Sequence, residues 1–406
     1  MKFALILIVM LCASSATAYE WAMLGGISAL GGMNSFNGAR GSFTGNLDGT
    51  IAPAVRLNSE WALLPSAVVG YQGTRPLTDV LGTATVNQQS VEARLGLRAI
   101  YARASSRWRF KPHILYGVDL LKETTDENWG QGLFDHRRQS VGLEIERMGD
   151  DASSLRGCVD WFNEVYPNYT SLESQAAMQF QGLSLARELV GDRLLDHSGY
   201  QFSLAGDRSL GARAVGTAKL AVVWSRFDQQ HVIDEGGQFE RATRQDILTD
   251  LALTARMPHE WNADLRAFGA LEFGLTANSS NQNGYDATRG RFNPGFYDFL
   301  EWRAVPAASL TIGPPRRPVT LTARLSVKNR RYPHRAPQNS TGAYGSGSLQ
   351  TTEMGGGLAL SYPMAQRLKL LFSIDRVTSS SNQEFQEFYR YSYQSTTALA
   401  GVRWDW

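Results

Sequence analysis

Cysteine is nearly absent: the 406 residues contain two, Cys12 and Cys158. Cys12 falls in the apolar N-terminal stretch, so a chain that loses that stretch keeps Cys158 alone and has no disulfide framework. Long apolar runs are also missing. Nothing beyond residue 18 approaches the roughly 20 apolar residues of a membrane-spanning helix. Six histidines (His113, His136, His197, His231, His259 and His334) are scattered with no i, i+4 metal spacing. There is no Gly-x-Ser-x-Gly elbow and no Cys-x-x-Cys pair. The expectation is therefore of no metal, no cofactor and no catalytic residue, with an embedded hydrolase as the minor alternative. Charge of one sign is absent too, since Lys and Arg number 40 against 38 Asp and Glu, which argues against a nucleic-acid partner.

What is present begins with an export signal. Lys2 precedes an apolar run from Phe3 to Leu11, and small residues end at Ala16-Thr17-Ala18, the pattern of a secretory signal peptide cut before Tyr19. Leu11 before Cys12 is too large for a lipidation site. Losing Lys2 lowers the formal charge from +2 to +1. The remainder is rich in Gly (39) and aromatics (11%), with a negative mean hydropathy. Membrane strands suit such a composition, because each needs only about 9 to 11 residues and half of them can be polar.

Period-two alternation pervades the chain. From Trp108 to Leu120, Trp108, Phe110, Pro112, Ile114, Tyr116, Val118 and Leu120 alternate with Arg109, Lys111, His113, Leu115, Gly117 and Asp119. Gln89 to Tyr101 repeats this, with Val91, Ala93, Leu95, Leu97, Ala99 and Tyr101 against Glu92, Arg94, Gly96 and Arg98. One template places strands at 19–33, 43–58, 61–74, 87–102, 107–121, 136–148, 154–166, 198–208, 214–227, 242–257, 261–277, 294–313, 317–330, 348–363, 366–379 and 388–406, an even sixteen. Tight turns such as Asn58-Ser59-Glu60, Gly149 to Ser153 and Pro258-His259-Glu260 alternate with long polar loops. Trp21, Trp61, Trp108, Trp261, Trp404 and Trp406 gather at one end of these strands, as indole does at a membrane interface. In lipid every backbone polar group must be paired, so such a sheet must close on itself. The predicted fold is all-β: an antiparallel up-and-down transmembrane barrel over 19–406, behind a signal peptide at 1–18. Gly355-Gly356-Gly357, inside a strand, reads as sheet curvature.

The C-terminal residues Gly401-Val402-Arg403-Trp404-Asp405-Trp406 sharpen this reading. Gly401, Trp404 and Trp406 match the terminal signal that marks bacterial outer-membrane barrels for assembly, with Trp where Phe is commoner. With the signal peptide and strand count, the chain resembles Gram-negative outer-membrane β-barrels of porin size. That resemblance implies outer-membrane location and, as partners, lipid, lipopolysaccharide and the barrel-assembly machinery. It further implies a pore, for diffusion or, with export-machinery proteins, for exopolysaccharide. The competing reading is a structural or interaction barrel that displays loops and conducts little.

The inward half of the pattern carries charge of both signs. Glu92, Arg94, Arg98, Arg109, Lys111, Glu144, Glu146, Arg244, Asp246, Arg266 and Arg324 are the candidate lumen charges, either tuning solute passage or simply forming a solvated salt-bridge lattice. Phe268, Tyr297, Phe299, Tyr389, Tyr391 and Tyr393 are candidate sugar-stacking surfaces or wall packing. The long loop 167–197 breaks the rhythm; Ser171 to Val190 is expected to be helical, as an inward constriction or an outer cap. Cys158 reads as an inert small residue.

Overall fold

The computed structural model describes residues 20–38, 42–78, 85–122, 127–151, 153–170, 178–180, 183–185, 191–211, 213–286, 291–385 and 391–406. The signal peptide expected at 1–18 lies outside the described residues. Sixteen long strands form one closed antiparallel barrel, as the alternation predicts. They are β1 (Glu20–Phe36), β2 (Ser42–Arg56), β3 (Trp61–Thr78), β4 (Thr85–Ala102), β5 (Trp108–Lys122), β6 (His136–Met148), β7 (Ser154–Val165), β10 (His197–Leu210), β11 (Ala214–Ile233), β12 (Phe239–Asn262), β13 (Leu265–Ser280), β16 (Phe299–Ile312), β17 (Val319–Tyr332), β18 (Leu349–Pro363), β19 (Leu368–Ser381) and β20 (Tyr393–Asp405). Each pairs with its sequence neighbour, and β20 closes on β1 with Trp404 opposite Ile27 and Gly401 opposite Leu30. Two hairpins stand apart from the wall: β8 (Met178–Phe180) with β9 (Leu183–Leu185), and β14 (Gly284–Asp286) with β15 (Arg291–Asn293).

Three expectations change. The helix expected over 171–190 is not found where the chain is described, since Met178 to Phe180 pair antiparallel with Leu183 to Leu185; the rest of that segment lies outside the described residues. Pro258-His259-Glu260 is not a turn. Those residues continue β12 and pair with Phe268, Ala267 and Arg266, so the turn falls at 263–264. Tyr297 precedes β16 and Tyr391 precedes β20, because both strands begin later than the alternation suggests.

The barrel is dry outside and charged inside. On β4 to β7 the strongly exposed apolar residues are Leu95, Leu97, Trp108, Phe110, Ile114, Tyr116, Val141, Leu143, Leu155, Val159 and Trp161, all of one parity within their strands. The opposite parity carries Glu92, Arg94, Arg98, Arg109, Lys111, Glu144, Glu146 and Asp160. A water-facing exterior of this kind would be an aggregation hazard; against acyl chains it costs nothing. Trp21, Trp61, Trp108, Trp261 and Trp404 are exposed at the end that bears both termini of the barrel. They form the aromatic girdle expected at a membrane interface.

At the opposite end, described loop residues pack against one another. Tyr166, Tyr169, Leu194 and Leu195 form a small buried core against Leu133 and Phe134. Beside it, Phe227, Val232, Ile233, Phe292, Tyr297 and Tyr332 are also buried. The loop backbone is satisfied by side chains: Asp135 accepts from the N–H groups of Leu121 and Gly132 at 2.7 and 3.1 Å, and Asp196 accepts from Tyr166 N–H at 2.7 Å. Desolvation pushes the Asp135 carboxyl above its usual range, against those two donated bonds that act to lower it.

Candidate functional site: the charged lumen wall

Strand parity puts all eleven candidate charges on the inward face, and the barrel register decides which of them meet. On β5 and β6, Arg109 faces Glu146 and Lys111 faces Glu144. Lys111 Nζ lies 2.6 Å from Glu144 and 2.9 Å from Glu146, and Arg109 lies 3.5 Å from Glu146. Arg94 pairs with Glu92 along β4 at 2.7 Å. Arg244 holds Asp246 at 2.6 Å while its guanidinium lies over the rings of Phe227 and Tyr297, at 4.5 and 4.2 Å. The other three, Arg98, Arg266 and Arg324, make no ion pair among the described residues.

The structure adds further ion pairs to the wall. Arg303 of β16 bridges Asp250 at 2.8 Å and Glu272 at 3.1 Å. Arg330 pairs with Glu301 at 2.8 Å, Lys328 with Glu353 at 3.1 Å, and Arg156 with Asp207 at 2.6 Å. Two other charged residues lie off the inward face. Arg226 shares the outward parity of Trp224 on β11, and Asp264 sits in the turn between β12 and β13.

Inward glycines make these long bridges possible. A Cβ on Gly274 would run into the Arg303 guanidinium, one on Gly142 into the Asp160 carboxylate, and one on Gly357 into the Asp375 carboxylate. Each glycine therefore clears one row of the wall. At two of them a charged side chain from the next strand lies across that row and reaches the strand beyond: Arg303 crosses Gly274 of β13 to Asp250 of β12, and Asp160 crosses Gly142 of β6 to His113 of β5. The run Gly355-Gly356-Gly357 stays within continuous β18, and its first member leaves room for Ser326.

One grouping escaped the sequence reading. His113 of β5, Gly142 of β6 and Asp160 of β7 form a single row across three strands. Asp160 Oδ1 is 2.6 Å from His113 Nε2, and Cys158 donates its thiol to Asp160 Oδ2 at 3.2 Å. The three donor atoms lie within 4.8 Å of one another, the one such trio among the described residues. Cys158-x-Asp160 is an i, i+2 pair legible in the sequence, but its meeting with His113 depends on a register that no local pattern encodes.

The aromatic candidates divide. Tyr297 is buried beneath Arg244, Phe299 lies 4.2 Å under Arg330, and Tyr393 is buried against Phe36 with its hydroxyl donating to Glu353 at 3.1 Å. All three are wall packing. Phe268 keeps 40% of its surface exposed on the inward face; Tyr391 precedes β20 with its carbonyl accepting from Ser379, and Tyr389 lies outside the described residues.

No protein-family model matches the sequence, and no curated protein matches it. Solved structures of related shape include a bacterial polysaccharide outer-membrane secretin, at 8% identity and a TM-score of 0.45, covering 95% of this chain and 98% of that one. They also include OmpT of Vibrio cholerae in its trimer form, at 9% identity and 0.45, covering 96% of this chain and 100% of that one. An anion-selective porin from Comamonas acidovorans aligns at 10% identity and 0.40, covering 96% and 100%. These likenesses separate no subfamily and assign no substrate. Closure into sixteen strands, the apolar exterior and the charged interior stand on their own, and they make this chain a membrane β-barrel of porin size.

Proposed function

We propose that the chain is an outer-membrane channel through which small polar solutes pass. The observation that supports this best is the inward face itself, lined by charges of both signs that need water around them. Sixteen strands enclose more space than wall side chains fill, which leaves room for an aqueous path. Paired charges such as Lys111–Glu144 and Arg303–Asp250 solvate the wall, while Arg98, Arg266 and Arg324, with no counter-ion in contact among the described residues, set the sign of the field felt by a passing ion. In this reading the loop 167–197 is the constriction of the channel.

The same proposal carries the remaining roles. The signal peptide at 1–18 is removed on export, Gly401, Trp404 and Trp406 are read by the barrel-assembly machinery, and lipid and lipopolysaccharide meet the apolar exterior. Polymer export is less well supported, because three of the candidate stacking rings are engaged in the wall. Single-channel recording in planar bilayers tests the proposal. Discrete ohmic openings are expected, and a heat-modifiable, folded preparation that shows none would point to a structural or interaction barrel.

A further inference from the structure

The row His113–Gly142–Asp160, with Cys158 beside it, holds three donors of three different kinds: an imidazole nitrogen, a thiol sulfur and a carboxylate oxygen. Their convergence is built rather than incidental to crowding. Gly142 is the residue that lets the Asp160 carboxylate lie across β6, since a Cβ there would occupy its place. Cys158 and Asp160 are two apart on β7 and so project to the same face. The imidazole is oriented as well. Its Nδ1 faces the backbone oxygen of Lys111 at 3.2 Å, which fixes the proton there and turns Nε2 toward the other two donors. A backbone carbonyl on the far nitrogen is how metal-binding histidines are usually held.

We propose that His113, Cys158 and Asp160 form a binding site on the lumen wall for a thiophilic divalent cation of the zinc class. The ligand chemistry chooses that class: a thiolate and an imidazole disfavour hard cations such as calcium and magnesium and suit zinc, cobalt or cadmium. Three protein donors leave one tetrahedral position open toward the lumen, so the site is suited to reversible capture. On binding, the cation displaces two protons, the one on the Cys158 sulfur and the one shared between His113 Nε2 and Asp160 Oδ1 across their 2.6 Å contact, and both pass to the solvent. Around the trio, Glu144 stands opposite Cys158 and adds negative charge, with Lys111 held between Glu144 and Glu146. Arg98, across from His113 on β4, opposes the cation and tempers its affinity. The inference concerns metal binding alone and does not require that the barrel conduct.

Cobalt(II) is the probe. Added to the purified full-length barrel in detergent, it is expected to give one tetrahedral cobalt per chain, with a sulfur-to-cobalt charge-transfer band that zinc abolishes. Cys158→Ser, which keeps nearly the same shape, should remove that band, and His113→Ala should weaken cobalt binding at least ~10-fold, the scale at which metal-site partners act. Heat-modifiable migration of each variant confirms that it remains a barrel. Absence of the band in the wild-type barrel at millimolar cobalt, or its persistence in Cys158→Ser, would overturn the proposal and leave the trio a hydrogen-bonded feature of the wall.

Discussion

Gly401 of β20 lies so close to β1 that any side chain there would run into the carbonyl oxygen of Ala29. The relation is reciprocal across the seam, where a Cβ on Gly32 would run into the carbonyl oxygen of Ala398. These strands are the two ends of the sheet, and their pairing removes the last open edge. Gly401→Ala should therefore impair closure itself. Refolded in detergent without assembly factors, it is expected to yield far less of the heat-modifiable form than the wild type. Trp404, 54% exposed on the outside, makes the contrasting case: Trp404→Ala should refold well in vitro yet reach the membrane poorly in cells. A wild-type refolding yield for Gly401→Ala would reduce this glycine to a recognition feature.

Arg303 ties three strands together, from β16 through β13 to β12. Removing it strands Asp250 and Glu272 on a half-buried wall, with only Thr276 still donating to Asp250. Arg303→Ala is expected to cost about 1–3 kcal/mol, the range for a hydrogen bond to a charged partner, lowered toward the bottom by lumen water. Arg303→Lys should recover only part, because an ammonium cannot serve both carboxylates with the guanidinium's planar fork. Urea unfolding in lipid vesicles measures both; equal midpoints for wild type and Arg303→Ala would deny the bridge any role in stability.

Arg98 and Arg324 are inward cations that make no ion pair among the described residues, unlike Lys111 and Arg303. Reversing both, as Arg98→Glu with Arg324→Glu, should move the reversal potential in a salt gradient toward cation preference. The shift should shrink as salt rises, since the Debye length falls from about 10 Å at 0.1 M to about 3 Å at 1 M. An unchanged reversal potential would place the ion path elsewhere in the lumen.

Deleting 171–190 probes the long loop. If that segment narrows the entrance, unitary conductance increases on its removal, which is the expected result. Unchanged conductance would make it an outer cap. The deletion leaves Tyr166, Tyr169, Leu194 and Leu195 in place, so the buried base of the loop keeps its packing.

Much of this architecture is legible in the chain because alternation is a local property. Trp108 to Leu120 declares its lipid face and its water face without reference to any neighbour, since successive side chains of a strand point to opposite sides. Closure follows from the same pattern, because a sheet with one apolar face and unpaired edges has no place in a bilayer. Local patterning fails where the chain leaves the wall. The three- and four-residue spacing of Leu172, Ala176, Phe180 and Leu183 suggests a helix, yet Phe180 pairs with Leu183 across a hairpin. Pro258-His259-Glu260 looks like a turn by composition but remains in β12, with its inward-facing proline opposite Phe268.

By itself the sequence determined a strand-built, lipid-facing barrel with charge turned inward. Tertiary structure alone decided which charges are neighbours: that Asp160 reaches His113 across Gly142, that Arg303 reaches Asp250 across Gly274, and that Arg98 and Arg324 make no ion pair among the described residues. The reason is register. Which face a side chain takes depends on its own strand, whereas what it touches depends on how adjacent strands slide along one another, and that is fixed only when the whole sheet closes.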